Sequence, residues 1–259
     1  MAFLELNYRS HALNMTVSVN VVLPERASAD EQAGCVDGTY KTLYLLHGLG
    51  GNHSDWMRKT AIERYASKYN IAVVMPGVCR SWYSDTVYGA KYFTFITEEL
   101  PQVCRSYFKG MTSRREDNLI GGLSMGGYGA LKAAMTYPER YSGVISLSGA
   151  LDITRKNRTC NLPEWQSIFD YSMVSPDELE GSCHDLFALT RKAAESGKAL
   201  PEIFLWCGTE DGLIAINRQY RDMLQELGIA CTYTESQGNH NWLYWDMHIP
   251  PGLAALLEK

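Results

Sequence analysis

The chain has 259 residues, 46% of them hydrophobic, which is enough for one substantial core and sits at the upper end for one domain. Its formal net charge of −5 and pI near 5.7 offer no basic stripe to meet phosphates, so no nucleic-acid partner is expected. No apolar run approaches the length of a bilayer, so no membrane partner is expected either.

The N-terminus, Met1 to Tyr8, alternates like a strand and lacks a charged segment followed by an apolar one. A cytoplasmic protein is therefore expected. Leu13 to Leu23 also alternates with period two, and should pair antiparallel at an edge with Phe3 to Arg9. A turn-rich loop runs from Pro24 to Gly38. Short apolar runs typical of buried parallel strands then follow at 42–46, 71–75, 118–123, 141–147, 203–207 and 229–233. Helical patterns lie between them at 56–68, 92–108, 128–137 and 214–227, and a last helix is expected over 252–258, after Pro250 and Pro251.

This alternation predicts an α/β sandwich with a mostly parallel sheet and antiparallel N-terminal strands, as one domain over 1–259. One segment breaks the rhythm. Residues 152–200 are polar, punctuated by Pro163, Pro176 and Gly181, and fall between two sheet strands, which reads either as a small helical cap or lid or as a surface insertion with no role in substrate binding. The seven cysteines, Cys35, Cys79, Cys104, Cys160, Cys183, Cys207 and Cys231, are widely spaced and contain no Cys-x-x-Cys. They read as reduced thiols, not as a disulfide framework or zinc site.

The most informative stretch is Gly122-Leu123-Ser124-Met125-Gly126, set between an apolar run and a helix of small residues. Strand, tight turn and helix form the context in which Gly-x-Ser-x-Gly is a nucleophile elbow. A serine hydroxyl is a poor nucleophile at neutral pH, and needs a base, an acid to orient that base, and oxyanion donors. In this architecture the partners follow in the order Ser, acid, His, on loops after later strands.

Gly208-Thr209-Glu210-Asp211-Gly212 follows the 203–207 run, which makes Asp211 the first choice of acid, with Glu210 and Asp152 as alternatives. His240 lies on a glycine-containing loop just after the 229–233 run and is the expected base; His248, next to Pro250-Pro251, is its competitor. Upstream, Leu45-Leu46-His47-Gly48-Leu49-Gly50-Gly51 ends a buried strand in a glycine-rich loop of the oxyanion type. The amides of Leu49 and Met125 are the expected donors, the second helped by its place at a helix N-terminus. His47 reads as a residue that fixes this loop, and no carboxylate–histidine cluster with metal spacing accompanies it or His53. No metal and no organic cofactor is expected.

Taken together, Leu-His-Gly-Leu-Gly-Gly, Gly-Leu-Ser-Met-Gly-Gly, Ser-Gly-Ala-Leu-Asp, Cys-Gly-Thr-Glu-Asp and Gly-Asn-His-Asn-Trp-Leu-Tyr-Trp resemble the esterase D family over nearly the whole chain. The likeness is greatest to its tributyrin-esterase branch, beside the S-formylglutathione hydrolases, feruloyl and acetyl-xylan esterases and mycolyltransferases. The resemblance implies an α/β-hydrolase fold, a triad of Ser124, Asp211 and His240, and oxyanion donors at Leu49 and Met125. It also places Trp82, within Ser81-Trp82-Tyr83-Ser84-Asp85, as a wall of the substrate pocket, with core packing as the alternative reading. The expected activity is a cytoplasmic serine carboxylesterase acting on small-molecule short-chain acyl esters. S-formylglutathione hydrolysis, feruloyl or acetyl removal from sugars, acyl transfer and a non-catalytic binding role are the rivals. The cap, with Trp165, Phe169 and Tyr171, matches none of the family motifs. A homo-oligomer is compatible with the sequence.

Overall fold

The computed structural model describes residues 1–25, 38–154, 165, 168 and 179–258. The Pro24–Gly38 loop and the middle of the cap, with Phe169 and Tyr171, therefore lie largely outside the described residues.

The chain opens on a hairpin, β1 (Ala2–Ser10) and β2 (Met15–Leu23), and continues into β3 (Thr42–Leu46). Helices α1 (Asp55–Lys59) and α2 (Ile62–Tyr69) lead to β4 (Ala72–Pro76). A short α3 (Tyr92–Thr94) passes through a π-helical turn, Phe95–Glu99, into α4 (Leu100–Tyr107). The second half runs β5 (Asn118–Leu123), α5 (Met125–Thr136), β6 (Gly143–Leu147), α6 (Leu186–Glu195), β7 (Glu202–Gly208), α7 (Ile214–Glu226), β8 (Cys231–Ser236) and α8 (Trp242–Leu257).

These strands form an eight-stranded sheet in the order β1-β2-β4-β3-β5-β6-β7-β8. Both pairs made by β2 are antiparallel, and every pair from β4 to β8 is parallel. The burial of the strands follows from their place. The central strands β3, β4, β5 and β6 are buried at every position, whereas edge strand β8 alternates. One face packs against α4, α5, α6 and α7 through Tyr128, Leu131, Leu100, Leu186 and Tyr220. The other packs against α1, α2 and α8 through Trp56, Ile62, Trp245, Ile249 and Leu253. This is the mostly parallel α/β sandwich that the strand–helix rhythm predicts, in the α/β-hydrolase arrangement that the resemblance implies.

Two helices differ from the sequence reading. The expected helix over 56–68 is broken at Thr60, whose backbone is extended at φ −140° and ψ 171°. Thr60 closes α1 by donating from its hydroxyl to the Trp56 carbonyl, and the same oxygen then accepts from the Ile62 amide that opens α2. The last helix starts at Trp242, not after the prolines, and carries Pro250 and Pro251 inside it. An interior proline costs about 3 kcal/mol. Here Trp245, Ile249, Leu253 and Leu256 recur at helical spacing and are buried against the sheet, each contributing roughly 1.5–3 kcal/mol, which offsets the lost hydrogen bonds.

Lys132 sits inside the core on α5, 2% exposed. Its ammonium lies 2.9 Å from Ser84 Oγ, 3.4 Å from the Tyr83 carbonyl and 4.7 Å from the centre of the Phe93 ring. Burial lowers its pKa to about 8. Between there and the ordinary value of 10.5 the unfolded chain binds more protons than the native one. This group therefore favours the native state above 10.5, and that advantage is lost as pH falls through about 8. Lys132→Met should flatten the rise in urea-unfolding stability across that window relative to the parent protein. An identical slope in the two proteins would show that the site is not desolvated.

Candidate active site

Ser124 occupies the turn between β5 and α5, with φ 54° and ψ −118°. A non-glycine residue at positive φ is strained, and persists only when its surroundings hold it there. Here the Ser124 amide donates to the Leu147 carbonyl at 2.9 Å, and its carbonyl accepts from Ala150 and Tyr128 at 3.0 and 3.1 Å. The flanking glycines permit the turn. A Cβ on Gly122 would stand 2.5 Å from the Gly126 carbonyl oxygen, and one on Gly126 would stand 2.4 Å from that of Leu46.

The three distant loops converge. His240 Nε2 lies 3.0 Å from Ser124 Oγ, and His240 Nδ1 lies 2.8 Å from Asp211 Oδ2. A carboxylate can only accept, so Nδ1 carries the hydrogen and Nε2 of the neutral ring is left to accept from the serine hydroxyl. Asp211 is buried, whereas the His240 side chain is 38% exposed and reaches solvent. Burial pushes the Asp211 carboxyl up. Hydrogen bonds from His240, the Leu213 amide and Ser148 outweigh that and hold it below the usual carboxylate range. The acid therefore stays charged where a base is needed.

The alternative acids and base lie elsewhere. Glu210 is exposed, and Asp152 accepts from Thr154 at 2.7 Å. His248 stacks on Trp206 with ring centres 4.1 Å apart and hydrogen-bonds Ser236 Oγ, a structural environment in which burial lowers its pKa.

The glycine-rich loop after β3 is held from below. His47 is 1% exposed; its Nε2 accepts from the Val78 amide at 3.0 Å, which leaves Nδ1 to donate to the Gly48 carbonyl at 2.8 Å. Tyr83, itself at φ 48°, donates its hydroxyl to the His47 carbonyl at 2.8 Å. Leu49 and Ser124 line the same cleft, and Met125 begins α5, where the first amides have no partner within the helix. Among the described residues, no group of three or more His, Cys, Asp and Glu side chains could hold a metal ion.

The cleft measures about 320 Å³ and is walled by Gly48, Leu49, Leu123, Trp242 and Trp245, with Asp55 and Lys59 at one side. Trp82 is not among its described lining residues. It is 1% exposed and packs at a 35° tilt against Trp165, with ring centres 5.0 Å apart, inside the core. Three aromatics were given no role in the sequence. Trp56 anchors β3 through a 3.0 Å bond from Nε1 to the Leu46 carbonyl, Trp242 packs edge-on against it, and Trp245 meets His240 edge-on at 4.9 Å. The last two close the motif Gly-Asn-His-Asn-Trp-Leu-Tyr-Trp, which says nothing of what they touch.

Comparisons with known proteins agree with this fold. The family model described as "Putative esterase" matches residues 10–256. An acetyl esterase of Caldicellulosiruptor saccharolyticus is 34% identical over 258 residues, 96% of each chain. The solved structure of FphF, a fluorophosphonate-binding serine hydrolase of Staphylococcus aureus, is similar with a TM-score of 0.89 at 31% identity, covering 100% of this chain and 99% of that one. FrmB, an S-formylglutathione hydrolase of the same organism, gives 0.86 at 30% identity, covering 99% and 98%.

Proposed function

Because this chain belongs to the esterase family and is a carboxylic ester hydrolase, we propose that Ser124, His240 and Asp211 are its catalytic triad and that it cleaves short-chain acyl esters. The observation that carries this reading is the unbroken hydrogen-bonded line from Asp211 through His240 to Ser124. The whole chain acts as one α/β-hydrolase domain in the cytoplasm, with 152–200 as its cap.

Ser124 Oγ attacks the ester carbonyl carbon while His240 Nε2 takes its proton. The carbonyl oxygen becomes an anion that rests on the Leu49 and Met125 amides, each worth roughly 3 kcal/mol in the transition state. Collapse breaks the bond to the alcohol oxygen, which leaves with the proton held by His240. Water then attacks the acyl-enzyme by the same route, and Ser124 is regenerated. Asp211 keeps the ring in the tautomer that can accept.

The small cleft supports a short acyl chain, as does the acetyl esterase relative. Trp82 serves this proposal indirectly, through the buried pair with Trp165 that backs the 81–85 loop. A second reading, a thioester with an anionic leaving group, is supported by the likeness to FrmB; the Lys59 ammonium in the cleft is already paired with Asp55 at 3.2 Å. A panel of esters and S-formylglutathione separates the two. For the short-acyl reading, kcat/KM should peak at acetyl to butyryl and fall steeply for longer chains. Higher kcat/KM on S-formylglutathione than on any simple ester would select the thioester reading instead.

A further inference from the structure

The imidazole is the most exposed member of the hydrogen-bonded line, with 38% of its side chain open to solvent against 1% for Asp211. It is held by two bonds, Nδ1 to Asp211 at 2.8 Å and Nε2 to Ser124 at 3.0 Å. These fix where the two nitrogens point, but leave the ring free to tilt about the line that joins them. Among the described residues, the one aromatic ring in contact with it is Trp245, edge-on with ring centres 4.9 Å apart and planes at 87°. Edge-to-face is a preferred arrangement of aromatic pairs, so tilting the imidazole away from it loses attraction.

Trp245 is itself held at two points. Its Nε1 donates to Ser148 Oγ at 3.1 Å, and Ser148 is fully buried, its own amide donating to the Trp206 carbonyl at 2.7 Å. Trp242 lies three residues earlier on α8, and so on the same side of that helix, and meets Trp245 edge-on at 5.3 Å and 85°. Trp242 then meets Trp56 of α1 edge-on at 5.2 Å and 86°. Trp56 donates from Nε1 to the Leu46 carbonyl at the end of β3, at 3.0 Å. The Lys59 ammonium, paired with Asp55 at 3.2 Å, covers the Trp242 ring at 4.9 Å from its centre. Four rings, each edge-on to the next, therefore run from the strand that leads into the glycine-rich loop to the base.

We propose that Trp245, braced by Trp242, is a positioning residue that sets the tilt of the His240 ring between Asp211 and Ser124. The inference rests on the triad reading given above. The local sequence suits the task. Asn241 caps α8 directly after His240, its side chain accepting from the Leu243 amide at 2.9 Å, so the first turns of the helix bring Trp245 back against the base.

In Trp245→Leu, kcat on p-nitrophenyl acetate should fall about ten- to a hundredfold, the cost of a misplaced catalytic group, with a smaller change in KM. The proton on His240 Nδ1, read by NMR of the substrate-free protein as a far-downfield signal, should broaden as the ring rocks and exchanges that proton with water. Trp245→Phe restores a flat ring, and should recover most of kcat and a sharp signal where leucine does not. Trp242 is only half-buried, so Trp242→Leu carries the test if Trp245→Leu does not fold, and should broaden the same signal by less. A parent-like kcat or an unbroadened signal in folded Trp245→Leu, an unbroadened signal in Trp242→Leu, or a phenylalanine variant no better than leucine would overturn the proposal while leaving the triad intact. Absence of turnover and of fluorophosphonate labelling in the parent protein would instead sink the triad reading beneath it.

Discussion

Replacing Ser124 with alanine should lower kcat on p-nitrophenyl acetate on the order of 10⁶-fold, leaving only what the oxyanion amides and binding give over water. The reason lies in the geometry: the only nucleophile in hydrogen-bond contact with His240 Nε2, among the described residues, is Ser124 Oγ at 3.0 Å. The fold should survive. The strained φ of 54° is imposed by hydrogen bonds from the main chain, at the Leu147 carbonyl and the Ala150 amide, and none of them uses the hydroxyl. Thermal midpoints of the two proteins should therefore coincide. A variant that retains more than a few per cent of parent kcat would place the chemistry on another residue.

Gly126→Ala should be among the most damaging single methyls at the described residues. Its Cβ would sit 2.4 Å from the Leu46 carbonyl oxygen and 2.7 Å from that of His47, and both are backbone atoms of the fully buried strand β3 and its loop. No side chain can swing aside, so β3 or α5 must move, which costs about 1–3 kcal/mol or more. The same movement displaces the loop carrying Leu49, so turnover should fall along with stability. Gly212→Ala is the control, since nothing lies within 4 Å of its added carbon. Urea unfolding and initial rates on both variants check this. Parent-like stability in Gly126→Ala would mean that the elbow and β3 are further apart than described.

The site was legible in the sequence because each part is local. A nucleophile elbow needs its glycines within the pentapeptide, and the acid and base need only follow buried strands in the right order, which Asp211 and His240 do after β7 and β8. What the sequence hid depends on contacts between distant segments. Trp82 reads equally well as a pocket wall or as core, and the contact that bears on it, a tilted packing against Trp165, comes from far along the chain. The tandem prolines look like a helix boundary, yet burial of α8 against β6 and β7 outweighs them.

The triad itself is tested most directly by reaction with a fluorophosphonate, followed by intact mass and peptide mapping. One adduct should form, on Ser124, and both His240→Ala and Asp211→Ala should slow its formation by orders of magnitude. An adduct on any other residue, or an unchanged labelling rate without the imidazole, would contradict the account.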